Sequence, residues 1–340
     1  MGIPVTPQRR ATVLGLCCLG ALLSACAGTA APVPIAVVAT LPSGTNTPRP
    51  TATRTISPPS PEPALLGGAA RIVFASNRTG NYEIYSMTPD GGDLTRLTNM
   101  PTQSVFPAVS PDREHILFFT FDLSSQDPSE WVLELWLMGS DGSLPERIGQ
   151  GFLGWTAWEP DGQQFALVGF YEAGNADILR AGLDGSDVTR LTSHPADDRD
   201  PDWSPDGETI AFTSYRDGNA RIYLMDADGQ DQRRLTSGEM VELEADWSPD
   251  GRRVAFVSGD DVNTQIYIVN ADGTGLRLLV DAPGYNENPA WSPDGSLIAF
   301  WSDRSGNREI YAIGADGTGL MQLTDDPGED ENPTWVPARR

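Results

Sequence analysis

Residues 203–236 read WSPDGETIAFTSYRDGNARIYLMDADGQDQRRLT, and this stretch decides the fold. Apolar and polar residues alternate with period two in short segments rich in Ile, Phe, Thr and Tyr, which predicts β-strands. Pro-Asp-Gly and Asp-Gly separate the segments, and both favour tight turns between antiparallel strands. The unit recurs with a spacing of 44 residues, marked by Trp203, Trp247, Trp291 and Trp335.

Two weaker copies precede these, so the unit occurs six times between Arg71 and the C-terminus. Each copy contains four strand signals, which we label A (ending in W-S-P), B, C and D. A repeat of this length does not close a core by itself and must stack on its neighbours. The pattern therefore predicts a β-propeller with one blade per repeat.

The two ends of the repeated region predict how the propeller closes. The region begins with a strand B at Arg71, and it ends with an unpaired strand A from Asn332 to Pro337. We therefore expect an all-β fold, a six-bladed β-propeller of four-stranded antiparallel blades, in which the C-terminal strand completes the first blade. This closure leaves no free sheet edge between the first and last blades.

The repeated W-S-P-D-G, combined with S-x-R-x-G-N-x-x-I-Y in Ser76–Tyr85, Ser214–Tyr223 and Ser302–Tyr311, resembles the TolB-type, WD-like propeller repeat. The resemblance covers roughly residues 69–340 and implies the propeller fold more strongly than any function. TolB also carries an α/β domain before its blades, and we expect no counterpart of that domain in this chain.

The N-terminus has the pattern of a secretory signal. Arg9-Arg10 precede the apolar run from Ala11 to Ala25, which is short for a membrane span. Leu23-Ser24-Ala25-Cys26 resembles the bacterial lipobox, which implies that Cys26 becomes the first mature residue and carries lipid. The alternative is an ordinary secretory signal with an incidental cysteine.

These features predict three segments: a lipoprotein signal peptide (1–25), a lipid-anchor cysteine with a Pro/Thr-rich tether (26–66) and the propeller (67–340). A Pro-rich tether is semi-rigid and extended. We therefore expect an extracytoplasmic protein that is attached to the bacterial cell membrane through its lipid anchor alone.

Composition excludes several classes of function. The net charge is −24, and the chain has no lysine and two histidines. Since the residues before Gly67 contribute four arginines and one glutamate, the propeller is more acidic than the whole chain. A nucleic-acid groove is therefore excluded. No G-x-S-x-G motif is present, and the scarcity of histidine disfavours Ser-His chemistry and His-based metal sites, so we expect a non-catalytic protein.

One position of the repeat varies in a chemically meaningful way. Three residues before the end of each strand A, two neighbouring copies carry aromatic residues and four carry acids or amides. We predict that this ring, with nearby acids and a long loop of the second blade, forms a ligand site on the face of the D-A and B-C loops. The predicted ligand-binding residues are Phe106, Trp131, Trp155, Asp198, Asp200, Glu242, Glu244, Asn288 and Asn332.

Two interpretations of this ring remain open. In the first, the aromatic side packs an apolar or sugar surface while the acids hold a cation, which is either Arg or Lys of a peptide or a calcium ion at Asp198, Asp200 and Glu244. In the second, the acids are solvated loop residues, the aromatics fill space between irregular blades, and the arginines that balance the acids are Arg78, Arg216 and Arg304.

The sequence thus favours a monomeric, lipid-anchored binding or scaffold protein without a cofactor, calcium excepted. Its partner would be a protein or peptide with cationic character, or a carbohydrate. One alternative is a carbohydrate-active enzyme that uses acids of the same face. The other is a purely structural lipoprotein of the cell envelope.

Overall fold

The computed structural model describes residues 70–122, 133–170 and 175–336. Within these ranges the chain forms strands and turns and no helix. The predicted lipidation site Cys26, the tether and the predicted loop residue Trp131 lie outside the described residues. Among the residues described, no helix has the length and apolar character needed to cross a membrane.

Twenty-four strands form six four-stranded antiparallel sheets. The strands of the first three blades are β1 (Ile72–Thr79), β2 (Asn81–Met87), β3 (Thr95–Arg96), β4 (Gln103–Val109), β5 (His115–Phe121), β6 (Glu134–Gly139), β7 (Glu146–Gln150), β8 (Phe152–Trp158), β9 (Gln164–Phe170), β10 (Ala176–Gly182) and β11 (Thr189–Arg190). Those of the last three blades are β12 (Asp198–Trp203), β13 (Thr209–Ser214), β14 (Arg221–Asp226), β15 (Arg233–Arg234), β16 (Val241–Trp247), β17 (Arg253–Asp260), β18 (Asn263–Asn270), β19 (Arg277–Val280), β20 (Asn286–Trp291), β21 (Leu297–Ser302), β22 (Glu309–Gly314), β23 (Met321–Gln322) and β24 (Asp330–Trp335).

The first blade has the order β24-β1-β2-β3, so the predicted closure by the C-terminal strand is confirmed. Strand β24 begins two residues earlier than predicted, because Asp330 already pairs with Ser76. Side chains reinforce the closure. Arg78 forms an ion pair with Asp330 at 2.7 Å, and Asn77 Oδ1 accepts the backbone N–H of Glu329 at 2.8 Å.

Apolar contacts between neighbouring blades form the core. Trp247 at the end of β16 lies in one cluster with Ile222 and Leu224 of the preceding blade and Phe256 of its own blade. Trp203 and Trp291 occupy the same position in the clusters on either side. The tryptophans that mark the repeat are therefore buried where blades stack, which is the core role that their position predicts.

The two turn families on the A-B and C-D side also agree with the sequence. The Asp-Gly glycines of the C-D turns, of which Gly229 is one, have positive φ angles near 80°. Gly229 has no room for a side chain either, because a Cβ there would lie 2.3 Å from the backbone oxygen of Leu191. The turns are thus fixed by the backbone, and this face of the propeller is built to a repeated pattern.

Candidate binding site in the channel

The six ring residues lie together around one cavity in the channel. Each comes from the middle of a strand A, and the cavity they line has a volume of about 130 Å³. In ring order the six are Asn332, Phe106, Trp155, Asp200, Glu244 and Asn288. Five of them are buried, and Trp155 is half-buried. They therefore lie inside the channel, deeper than the loop position expected from the sequence.

A repeated backbone feature places these side chains. All six have φ between 50° and 60°, in the left-handed region that residues other than glycine rarely adopt. The register of each strand A shifts at the same place; in β12 the shift falls between Arg199 and Asp202. This combination is a β-bulge, which redirects a side chain and interrupts the alternation of the strand. Phe106, Trp155 and Asp200 have similar φ angles although their side chains differ. The bulge is therefore a feature of the blade backbone and does not depend on the side chain at this position.

The polar part of the ring is joined by hydrogen bonds from blade to blade. The backbone N–H of Asn288 donates to Glu244 Oε2 at 2.8 Å, and Asn332 Nδ2 donates to Asn288 Oδ1 at 2.9 Å. Asn288 Oδ1 also accepts the indole N–H of Trp301 at 2.7 Å. Asn332 Oδ1 has no hydrogen-bond partner among the described residues, although Asn332 is only 7% exposed. This series of hydrogen bonds thus ends at Asn332 Oδ1, a buried acceptor beside the cavity.

The aromatic part of the ring is a packed pair. The rings of Phe106 and Trp155 lie 4.6 Å apart between centroids, at 40° to each other, and Phe106 meets Phe119 edge-on at 6.4 Å. In a ring of six, the blade of Phe106 is opposite the blade of Glu244. The cavity therefore has an aromatic wall on the side opposite a carboxylate.

A second row of acids was missed by the sequence analysis. Asp202 and Asp246, two residues further along β12 and β16, also line the cavity. Each accepts the backbone N–H of the tryptophan that ends the next strand A, at 2.7 Å: Trp247 for Asp202 and Trp291 for Asp246. The other four copies carry Ala or Thr here, so the alignment of repeats that revealed the ring would also have revealed this pair.

Burial dominates the titration of these carboxyl groups. It raises the pKa of Asp202 to about 7, against the lowering effect of the hydrogen bonds from Trp247 and Trp203. Burial, followed by repulsion from Asp202, raises the pKa of Asp246 well above its usual value. The pKa of Asp200 is also raised by burial, although Arg199 and the backbone N–H of Glu244 oppose the shift. The cavity thus holds carboxyl groups that ionise reluctantly.

Two other predicted site residues lie outside the cavity. Asp198 is fully buried and forms an ion pair with Arg216 at 3.1 Å, while Glu242 is buried and accepts a hydrogen bond from the hydroxyl of Thr236. For Asp198 the pairing with Arg216 agrees with the alternative interpretation, but Asp198 is a buried strand residue and not the solvated loop acid that this interpretation expected. The three acids expected to bind calcium are therefore not brought together, because Asp198 is turned toward Arg216 and away from Asp200 and Glu244.

A different cluster has the spacing of metal ligands. In the described ranges, Asp112, Glu114 and His115 are the group of three whose ligand atoms lie within 4.8 Å of one another. They belong to the exposed A-B turn of the second blade, where Arg113 replaces the usual glycine with φ of 67°. His115 Nδ1 is 3.9 Å from Asp112 Oδ2. This cluster is on the opposite side of the blade from the D-A loops.

The fold and the repeat define the class of protein: a six-bladed β-propeller with a polar and aromatic channel site. The family described as the TolB beta propeller domain matches residues 222–340, and the Tricorn protease N-terminal beta propeller domain matches residues 168–265. The repeat, these matches and the relatives below agree in what the chain is similar to, and together they support a TolB-like six-bladed β-propeller.

Among curated relatives, a protein TolB homolog of Chlorobium luteolum is 33% identical over 147 residues. The match covers 43% of this chain, and the chain spans about a third (32%) of that relative's length. Among solved structures, TolB from Acinetobacter baumannii has a TM-score of 0.69 at 22% identity, covering 79% of this chain and 67% of that one. A propeller chain from a nidogen/laminin complex has a TM-score of 0.63 at 13% identity, covering 78% and 98%. At these identities the structural likeness concerns the fold.

Proposed function

We propose that this protein is a non-catalytic binding protein of the cell envelope, which holds a protein or peptide partner at the D-A side of its channel. The observation that carries the proposal is the ring. Six equivalent, bulged positions are filled with three kinds of side chain, grouped as an aromatic pair, an acidic pair and an amide pair around one cavity. Such a division is typical of a recognition site, in which an apolar wall and convergent polar groups fix a ligand.

The relatives support this proposal. TolB homologues share the propeller, and one solved chain of the same fold comes from a complex between two proteins, nidogen and laminin. The proposal includes the predicted lipid anchor at Cys26 and an extracytoplasmic location, for which the signal-like N-terminus is the support. The tether would hold a monomeric propeller away from the membrane so that its channel face is open to a partner.

Capture of partners by the full-length protein tests the proposal. We expect Asp200→Ala combined with Glu244→Ala to reduce capture from an envelope extract at least tenfold. Glu208→Gln is the matched control, because Glu208 is an exposed acid of the A-B turn on the other face. Full capture of every partner by the double variant would contradict a role for the channel.

Labelling with a radioactive fatty acid, compared between the wild type and Cys26→Ser, tests the anchor.

One observation favours a second function, hydrolysis of a glycan. Burial raises the pKa of Asp202 to about 7 beside Asp246, and glycosidases use a carboxyl group with a raised pKa next to a second carboxyl group. The measurement is release of reducing sugars from envelope polysaccharides by the wild type and by Asp202→Asn. Turnover that Asp202→Asn abolishes would replace the binding proposal, and no turnover leaves binding as the function.

A further inference from the structure

Most of the fully buried acids outside the channel are paired with an arginine of the same chain, while Glu242 and Glu309 accept hydrogen bonds from Thr236 and Thr324. The carboxylate side chains in these pairs are at most 1% exposed. The pairs are Glu83 with Arg96 at 2.6 Å, Asp177 with Arg190 at 2.8 Å, Asp198 with Arg216 at 3.1 Å, Asp330 with Arg78 at 2.7 Å and Glu331 with Arg308 at 2.9 Å. This is the usual arrangement, because a buried charge without a partner is costly.

The channel differs from these arginine pairs. The cavity is lined by Asp200, Asp202, Glu244 and Asp246, and its lining, all of it in described residues, includes no arginine, lysine or histidine. The nearest cation that acts on Asp200 is Arg199, whose guanidinium binds Asp197 at 2.6 Å. Four acids from two adjacent blades thus surround one space to which the protein itself contributes no cation.

A second, independent observation points to a ligand in the same space. Asn332 lines the cavity and is only 7% exposed. Its Oδ1 accepts no hydrogen bond from any described residue. A buried acceptor without a donor is destabilising, because it has lost its hydrogen bonds to water without replacement. A ligand that brings several N–H donors would satisfy this oxygen and the carboxylates together.

The chain also shows how it binds such a group. Arg216 lies with its guanidinium carbon 4.6 Å from the ring centre of Tyr223 while it binds Asp198. Arg78 repeats this arrangement, 5.1 Å from the ring of Tyr85 while bound to Asp330. An aromatic face combined with a carboxylate suits a planar guanidinium, which stacks and donates in a fork at the same time.

The channel presents the same elements without the guanidinium. Phe106 and Trp155 supply the aromatic wall, Asp200 and Glu244 the carboxylates, and Asn332 the additional acceptor. We propose that the channel cavity binds the guanidinium group of an arginine side chain presented by a peptide partner. The inference rests on the proposed binding function and names the chemical group that the site recognises. An arginine side chain suits such a lining, because an apolar stem can pack on the aromatic pair while the charged head binds the acids.

A guanidinium is favoured over a metal ion by the arrangement of the acids. Calcium needs six to eight oxygens at 2.3–2.6 Å. Within the described residues, no three channel carboxylates approach closely enough to share an ion; the group that does is Asp112, Glu114 and His115, outside the channel. A planar cation several atoms wide can bridge acids that are too far apart for one metal ion.

The test is a calorimetric titration of the full-length protein, in detergent, with N-acetyl-arginine amide. The citrulline amide of the same shape, which is neutral, and the lysine amide are measured alongside. We expect the citrulline amide to bind at least about tenfold more weakly than the arginine amide, because charge-assisted hydrogen bonds to the carboxylates are lost. The lysine amide, which cannot stack or donate as a fork, should bind with intermediate affinity.

Two variants test whether the arginine amide binds in the channel. Glu244→Gln and Trp155→Leu should each weaken the arginine amide several-fold, the first through charge and the second through stacking, while Glu208→Gln leaves it unchanged. Thermal melts of each variant verify that it is folded, and Trp155→Leu retains every carboxylate if Glu244→Gln is unstable. Equal binding of the citrulline and arginine amides, or arginine binding that neither variant weakens, would overturn the inference.

The outcome for this inference can be separated from that for the proposed function. If partners are captured through Asp200 and Glu244 but the arginine amide does not bind, the binding function stands and the guanidinium proposal is wrong. If calcium binds and is lost in Glu244→Gln while arginine does not bind, the occupant is a metal ion and the proposal is again wrong. If neither partner nor arginine depends on the channel, both proposals fail.

Discussion

Asp198 and Asp200 are two residues apart on the same strand and have opposite roles. Asp198 belongs to a belt of buried acids that are paired with the chain's own arginines, here Arg216. Asp200 belongs to the channel wall, whose lining contains no cation. The bulge between them separates the two regions, because the left-handed turn at Asp200, with φ of 50°, interrupts strand alternation. Acidity at this face thus stabilises the fold through ion pairs in the belt, and in our proposal it serves recognition in the channel.

The largest effect should come from breaking the belt. Arg216→Ala leaves Asp198 buried without its partner and also removes the stacking on Tyr223. We expect the free energy of unfolding to fall by about 3–5 kcal/mol, which is typical of a broken buried pair. Chemical denaturation provides the measurement. Arg233→Ala, on the exposed edge strand β15, is the control and should change stability by less than about 0.5 kcal/mol.

The pH dependence of stability distinguishes the channel from the belt. The pKa of Asp202 is about 7 in the folded protein and lower in the unfolded chain. Between these values the folded state holds more protons, so stability falls as pH rises. We expect the wild type to lose on the order of 2 kcal/mol between pH 5 and pH 7 relative to Asp202→Asn. Parallel stability curves for the two proteins would contradict the account.

Substitutions of matched acids should change stability in opposite directions. Asp246→Asn removes a buried charge that is repelled by Asp202, and we expect it to stabilise the protein by about 1 kcal/mol at pH 8. Asp198→Asn weakens the bond to Arg216 and should destabilise the protein. Thermal melts of the two variants at one pH test the contrast. Destabilisation by both would mean that the channel acids are structural like those of the belt.

The smallest expected effect on stability comes from the left-handed backbone conformation, which occurs in the A-B turns and at the ring positions. On the A-B side Gly207 has φ of 76°, while its counterpart Arg113 has φ of 67° with a full side chain. Arg113→Gly should therefore stabilise the protein by about 0.5–1 kcal/mol, unless the contacts of Arg113 outweigh the relief of strain. A rise in melting temperature of a few degrees or less is expected. A fall would show that the arginine's contacts dominate.

The sequence alone predicts the architecture because the same pattern of strands and turns recurs in six copies. The spacing of the tryptophans, the Pro-Asp-Gly and Asp-Gly turns and the offset between first and last strands suffice for six blades and their closure. The ring was also predicted, since laying the copies over one another isolates the position that varies. These inferences depend on the spacing of the repeat and on the residue types at each position, and both are visible in a single sequence.

The direction of individual side chains was not predictable in the same way. Phe106 and Trp155 give no sign of a left-handed backbone, so the bulge that separates Asp198 from Asp200 is invisible in the sequence. Asp198 and Glu242 were assigned to the site because they are acids near the ring, and their partners Arg216 and Thr236 are known only from the fold. Asp202 and Asp246 stand at a second variable position, next to the residue that ends each strand A, and only the fold places them in the cavity lining.

The central claim is that the channel cavity, whose lining contains no cation, receives one from a partner. Proton exchange on binding tests it most directly. A cation that binds Asp200 and Glu244 shares the cavity with Asp202 and Asp246 and must lower their raised pKa values. Titration of the full-length protein with N-acetyl-arginine amide at pH 6.5, in buffers of different ionisation enthalpy, should therefore show release of protons in the wild type and less in Asp202→Asn. Binding with no proton release, or no binding at all, would contradict the claim.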